Sequence, residues 1–406
     1  MDLRSGCPFW QVRGGLIGAY PALDADLECE VAVIGGGVTG ALIAHALVGA
    51  GVNTVLADKR DFGWGSTSAS TALLQYDLDV PLEELAGRIG EARAVACYRS
   101  ANEAVAHLVR LAESLPDHCG IARRPAIYLA SSARHRRGLE REHAIRVRNG
   151  FAVELWDRHA VSAHFSFRRA AALYHTEAAE VDPYRLTYAL IAEAAGHGLR
   201  AFDRTEITSA ELDRRSALPV RLTTARGFRI KARTVVFATG YETQRRLRQR
   251  SVMLRSTYAV ASEPVDRFDG WHGRCLIWES ARPYHYLRTT DDGRVIIGGE
   301  DDGFVSADRR DRALPGKARR LVREAERMFP DIPFEAGFCW AGTFADTEDG
   351  LPYIGRHPRH PNAWFAAAYG GNGTPFGVIA ADIVRDGILG EPNRTSALFA
   401  FDRAPD

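Results

Sequence analysis

The sequence predicts an α/β protein in which a parallel sheet of strand–helix–strand units is interleaved with a mainly antiparallel, α+β second unit. Three observations predict it. Near residue 30 an apolar, β-branched run leads into a glycine-rich turn and a small-residue helix. Far downstream a second such run ends in Ala238-Thr239-Gly240. Between residues 254 and 300 the pattern becomes short alternating strands joined by turns. Strands separated by helices build parallel sheets, whereas hairpin-linked strands build antiparallel ones.

Composition narrows the function. A chain of 406 residues suggests two or three units at roughly 150 residues each. With 46% hydrophobic and 25% charged residues, it has an ordinary globular balance, not that of a disordered tail, a collagen or a small disulfide scaffold. The net charge of +1 offers no support for a nucleic-acid or anionic-membrane partner. Cys7, Cys29, Cys97, Cys119, Cys275 and Cys339 form no zinc knuckle and no C-x-x-C pair, so no metal site is expected and the compartment reads as reducing. The polar N-terminus leads into no apolar signal core. Residues 31–52 lack formal charge, but glycines interrupt them. No membrane span is expected, and the protein reads as cytoplasmic.

Taken in order, Val31-Ala32-Val33-Ile34 reads as a buried parallel strand. Gly35-Gly36-Gly37-Val38-Thr39-Gly40 then matches G-x-G-x-x-G, and Ala41 to Leu47 reads as a helix. Gly35 permits the tight turn, Gly37 lets backbone approach a pyrophosphate, and Gly40 lets helix and strand pack closely. The helix N-terminus offers free N–H groups to phosphates. A second strand, 52–57, ends at Asp58, 18 residues after Gly40. A carboxylate there accepts ribose hydroxyls and repels a 2′-phosphate. Strand, turn, helix, strand and acid in this order predict a dinucleotide site with Gly35, Gly37, Val38, Thr39, Gly40, Asp58 and Lys59 as contacts.

The segments that follow favour FAD over NAD. In Gly63-Trp64-Gly65-Ser66-Thr67-Ser68-Ala69-Ser70-Thr71, the small residues Gly65, Ser66, Thr67, Ser68, Ser70 and Thr71 can line a phosphate and a ribityl chain. Ala238, Thr239 and Gly240 end a later strand. The run 364–374 is an apolar strand that breaks into Gly370, Gly371, Asn372, Gly373 and Thr374 before a helix over 378–384. Such a helix N-terminus stabilises the negative pyrimidine end of a reduced flavin.

The remaining elements complete the pattern. A leader spans 1–28 with Trp10 and Pro21; one helix is expected over 82–115, with Leu85, Ile89, Ala92 and Ala96 on its apolar stripe. A strand covers 127–130, and a charged helix over 139–149 reads as solvent-exposed. Asp182-Pro183 cap and open a helix to residue 196. Strands follow at 257–262, 275–278, 284–288 and 295–298, with Asp291-Asp292-Gly293 as a hairpin turn. The expected division is 1–85, 150–245 and 339–406 for a Rossmann-like FAD domain, and 86–149 and 246–338 for a substrate domain. Tyr284, Tyr286 and Arg288 alternate onto one strand face. Arg288 suits a carboxylate, Glu300 a cationic amine or a water, and Tyr258 is a further candidate.

These motifs, in this order from Val31 to Val384, resemble the D-amino-acid oxidase (DAO) superfamily of FAD-dependent oxidoreductases, in its glycine oxidase and sarcosine oxidase branch. Asp349-Gly350-Leu351-Pro352-Tyr353-Ile354-Gly355 and the Tyr286-to-Gly298 stretch also match. The resemblance implies non-covalent FAD, with Ile207 near adenine, Gly342 on the cofactor wall and the amides of the last glycine turn at the flavin ring. It implies hydride transfer from the C–H beside an amine, giving an imine that hydrolyses, with Tyr286 in the substrate pocket. The expected partners are an amine or amino-acid substrate and oxygen, a quinone or a carrier protein as electron acceptor. Relatives sharing the cofactor motifs also oxidise C–O bonds in 2-hydroxy acids or glycerol 3-phosphate, and a non-catalytic FAD subunit would carry them too. Three departures stand out. No arginine comes soon after Trp340-Ala341-Gly342, which leads to Thr343-Phe344, Pro375 stands where relatives have lysine, and Val295-Ile296-Ile297 lacks the cation that promotes reaction with oxygen. Cys339, near where some relatives bond covalently to flavin, reads as a free buried thiol.

Overall fold

The computed structural model describes residues 2–212, 216–247, 252–367 and 369–403; Met1 of the leader and Ala368 of the glycine-rich run lie outside them. Among these residues the chain builds an eight-stranded and a ten-stranded sheet. The smaller sheet has a parallel core in the order His360–Ala367, Arg229–Phe237, Leu27–Ile34, Thr54–Ala57, Arg200–Phe202. Its central strand is buried from Val31 to Ile34, as a strand covered on both faces must be. The helices Val38–Gly49, Pro183–Gly196 and Gly373–Leu389 cover one face, and the first packs against the other two. Asp182 caps Pro183–Gly196 as expected, accepting from Tyr184 N and Arg185 N at 3.0 Å each.

The larger sheet runs Arg4–Gly6, Ala336–Thr347, Val252–Ser262, Val295–Asp302, Tyr286–Thr289, Leu276–Glu279, Ala122–Leu129, Ala171–Glu180, Leu73–Leu74. All its pairings are antiparallel except Leu276–Glu279 with Ala122–Leu129. Sheet membership cuts across the expected segments. Arg4–Gly6, Leu73–Leu74, Glu154–Asp157 and Ala171–Glu180 hydrogen-bond into the larger sheet, and Ala336–Thr347 belongs wholly to it. Helix Glu91–Ser114, expected on the substrate side, packs against Gly373–Leu389. The chain crosses between the layers more often than local periodicity signals, because strand partners are chosen by long-range pairing.

Two helices also differ from expectation. The helix over 82–115 is broken at Gly90, whose φ of 83° suits glycine alone. Leu82–Ile89 and Glu91–Ser114 result, and the buried stripe of the second starts at Ala94 rather than Ala92. The charged helix, Arg136–Arg148, is not exposed all round. Arg146 is fully buried and binds Asp77 and Glu142. Glu142 in turn accepts from Leu82 N at 2.9 Å and Glu83 N at 2.7 Å, and so caps the neighbouring helix. A charged pattern conceals a buried ion pair because local sequence does not show which face meets a distant partner.

Candidate functional site

The glycine turn forms as the motif requires. Gly35 has φ 110°. A Cβ on Gly40 would lie 1.7 Å from Gly35 O, and one on Gly36 would lie 2.0 Å from Phe62. Asp58, at the end of strand Thr54–Ala57, accepts from Gly36 N at 2.6 Å and Arg60 N at 2.8 Å. Burial pushes its carboxyl up, and those N–H groups draw it back down. Lys59 Nζ donates to Glu242 at 2.8 Å. Thr67 Oγ1 accepts from Val38 N at 3.0 Å, at the first turn of helix Val38–Gly49. At the other end, Asn372 precedes helix Gly373–Leu389 and its Nδ2 donates to Asp77 O at 2.9 Å. Gly371 N donates to Asp79 at 2.6 Å. This contact ties the last glycine turn to the loop after Leu73–Leu74.

These groups surround one cavity of about 510 Å³, within the range of small-molecule and cofactor sites. Of the expected cofactor contacts, Gly35, Gly37, Val38, Thr39, Asp58, Lys59, Gly65, Ser66, Thr67, Ser70, Thr71, Ile207, Ala238, Thr239, Gly240, Gly342, Gly370, Gly371, Asn372, Gly373 and Thr374 all line it. Gly40 and Ser68 do not. Gly40 is the helix–strand packing point, and Ser68 is buried with its Oγ donating to Gly65 O at 3.0 Å. The residues fit an adenine dinucleotide. Two helix N-termini open on the cavity, and the glycine turn leaves no room for side chains. Ser66 Oγ, Gln75 Oε1 and Asp301 Oδ1 are buried in its wall without a protein partner, which is costly unless a ligand or water meets them.

At the end near Gly371, Tyr286 lines the wall as expected, with its Oη 3.2 Å from Thr257 Oγ1. The other three substrate candidates lie elsewhere. Arg288 shares the Tyr286 face, but one strand repeat further on the main chain covers it. Its guanidinium donates to Ala72 O and Val181 O at 2.8 and 2.9 Å and sits 3.6 Å from Glu180. It is a structural tie, not a carboxylate clamp. Tyr258 turns to the opposite face and donates to Asp302 at 2.8 Å, leaving its neighbour Thr257 on the cavity wall. Glu300 stands at a bulge, with φ 61°, and pairs with Arg320 at 2.7 Å. The bulge inserts one residue, and Asp301 takes the cavity position instead. Burial pushes the Asp301 carboxyl up to about 6, with the Thr257 hydroxyl opposing the shift and Asp79 adding to it.

Residues 30–386 match the family described as FAD dependent oxidoreductase, DAO. The chain belongs to the DAO family of FAD-dependent oxidoreductases. Glycine oxidase of Bacillus licheniformis is 27% identical over 386 residues, covering 92% of this chain and 96% of its own. Gamma-glutamylputrescine oxidoreductase of Escherichia coli is 24% identical over 403 residues, covering 95% and 89%. Among solved structures, glycine oxidase from Geobacillus kaustophilus superposes with a TM-score of 0.73 at 24% identity, covering 93% of this chain and 99% of that one. FAD is therefore the cofactor of this DAO-family chain.

The DAO site also contains residues that sequence reasoning missed: Gln75, Asp79, Thr257, Trp278 and Asp301 line the cavity beside Tyr286 and Tyr284. The Gly298-Gly299 pair was an available bulge signal. Asp79 had none, since its place depends on Gly371, remote in sequence. Off the cavity wall, Glu279, His285 and Glu324 have ligand-like spacing. Arg169 already pairs with Glu279 at 2.8 Å and stands 3.8 Å from Glu324, so a cation meets these carboxylates in place of a metal.

Proposed function

We propose that this DAO-family enzyme oxidises the carbon–nitrogen bond of an amine or amino acid, with the eight-stranded sheet as the frame of the cofactor domain and the ten-stranded sheet as that of the substrate domain. One observation carries the reading: Asp301, in the cavity wall with Tyr286 and Thr257, has a buried Oδ1 with no hydrogen-bond partner. It suits a substrate N–H. Glycine oxidase and gamma-glutamylputrescine oxidoreductase, among the relatives, are named for nitrogen compounds, which favours C–N over C–O oxidation.

FAD, when bound, supplies a two-electron acceptor for hydride. Val38, Thr39, Ser66 and Thr67 would hold its phosphates, Asp58 its ribose, and the amides of 371–374 its ring. Cys339 lies off the cavity wall, which favours a non-covalent cofactor, and the unbridged cysteines favour a reducing compartment. No described helix is long and apolar enough to cross a membrane. Asp301 accepts the proton of the bound ammonium, leaving the nitrogen lone pair free. As the adjacent C–H breaks, its hydride leaves with both electrons and C=N forms. Water adds to that carbon, the C–N bond breaks, and carbonyl and amine products separate. Tyr286 and Thr257 orient the nitrogen. The cavity wall near them carries no Lys or Arg among the described residues, which favours a quinone or carrier protein over oxygen as acceptor.

Anaerobic mixing of the yellow enzyme with amines, amino acids and hydroxy acids tests the reading. Bleaching by nitrogen compounds is expected. Bleaching by hydroxy acids alone overturns it.

A further inference from the structure

The reacting end of the cavity is built for positive charge. Trp278, Tyr284 and Tyr286 form three tilted aromatic walls: Trp278 and Tyr284 lie 6.1 Å apart at 80°, Tyr284 and Tyr286 5.8 Å apart at 58°. Asp301 and Asp79 are the acids of this wall, and Gln75, 8% exposed, adds a buried oxygen with no partner. Asp79 accepts from Tyr284 Oη at 2.9 Å. The cations that line the cavity, Lys59 and Arg60, stand by Glu242, close to Asp58 and the nucleotide turn. Arg288 is sealed among carbonyls. Arg282 is exposed and donates to Asp79 O and Ala281 O.

We infer that the substrate is a cationic amine without a carboxylate beside the reacting carbon, held between the Trp278, Tyr284 and Tyr286 rings and the carboxylates of Asp301 and Asp79. The inference rests on the C–N reading above and narrows it. An ammonium on aromatic faces is attracted by their quadrupoles, most of all where water is excluded. A substrate carboxylate here would meet two acids, and the Arg282 guanidinium lies 4.7 Å over the Tyr284 ring with donors committed to Asp79 O and Ala281 O; like charges in a dry site are costly. Single amines, N-alkyl amines and diamines fit; glycine, sarcosine and proline do not.

The test uses the holoenzyme under anaerobic conditions. N-methylbutylamine and 1,4-diaminobutane are compared with glycine, sarcosine and L-proline by the rate of flavin bleaching. The carboxylate-free amines are expected to bleach it roughly tenfold faster or more, the worth of one charge-assisted contact. Asp301→Asn is expected to lower kcat/KM for those amines by a similar factor while leaving bound FAD per chain unchanged. In the unmodified enzyme kcat/KM for amines should rise through about pH 6 as Asp301 ionises. Facing it are Asp79, Asp346, Arg255, Tyr284 and Tyr286, and Arg255 is already paired with Asp346. The rise should vanish in Asp301→Asn. Faster bleaching by glycine, sarcosine or proline overturns this inference and leaves C–N oxidation standing. Bleaching by hydroxy acids alone overturns both. The substrate comparison needs no variant, so a misfolded Asp301→Asn does not blunt it.

Discussion

The Cα–H of Gly40 faces the carbonyl oxygen of Gly35 so closely that a Cβ would stand 1.7 Å from it. Neither group can move independently, because Gly35 N is bonded to Ala57 O at 2.8 Å in the neighbouring strand. Gly40→Ala therefore forces the helix Val38–Gly49 away from its strand. Overpacking of this kind costs about 1–3 kcal/mol, and it also displaces the N–H groups aimed at the phosphates. A lower melting temperature and substoichiometric FAD after purification are expected. Full flavin content at an unchanged melting temperature would contradict the packing argument.

Asp58 has two roles. It ties Gly36 N and Arg60 N, and it faces the cavity where a ribose would lie. Loss of one charge-assisted hydrogen bond weakens binding by about 1.5–3 kcal/mol, or roughly ten- to hundredfold. Asp58→Ala should raise the FAD dissociation constant by that factor, measured by fluorescence quenching on reconstitution. An unchanged constant would place the ribose elsewhere.

How much of this was legible in the sequence depends on the range of the forces involved. The glycine turn, Asp58 and Asn372 were readable because strand, turn and helix are local and the motif order is distinctive. The substrate wall was readable only to within one residue. Tyr258 and Glu300 were expected where Thr257 and Asp301 stand. A strand alternates sides with period two, so Tyr258 takes the face opposite Thr257, and the bulge at Glu300 moves the cavity position on to Asp301. Arg288 was placed on the correct face, yet the main chain of Thr71 and Ala72 folds over it, and no local pattern announces such a cover. Arg146 was hidden likewise, since its partner Asp77 is remote in sequence.

The buried Arg146 gives a stability prediction. Removing one partner of a buried ion pair costs about 3–5 kcal/mol, so Arg146→Ala should lower urea-unfolding stability by that amount and loosen the start of helix Leu82–Ile89. Burial alone would push the Asp77 carboxyl up, but Arg146 and His175 beside it hold it well below the usual carboxylate range. A depressed folded value stabilises the protein above the unfolded value, about 3.9, and the gain is lost as pH falls below it. The native enzyme should lose stability below about pH 4, and Arg146→Ala should lose less over the same range. Parallel pH profiles would show that Asp77 is not the group responsible.

The final prediction concerns the electron acceptor. Reaction of a reduced flavin with oxygen builds negative charge, and a fixed cation nearby lowers that barrier. Val295, Ile296 and Ile297 are buried and apolar. Lys317 is committed to Glu300 O at 2.6 Å and Asp302 at 2.9 Å, on the side away from Thr257 and Asp301. His285 turns to Glu279 and Glu300, at 3.4 and 3.6 Å, and Arg288 is enclosed. The ionisable side chains of this wall, Asp301 and Asp79, are acids and supply no cation where oxygen would be reduced. Enzyme reduced anaerobically and then mixed with air-saturated buffer should therefore reoxidise more slowly than it turns over with a quinone or dye. Introducing a cation should reverse this: Thr257→Lys is expected to speed reoxidation by oxygen while slowing bleaching by a cationic amine. Reoxidation by air as fast as turnover in the unmodified enzyme would show that it needs no such cation, and would make it a hydrogen peroxide-forming oxidase.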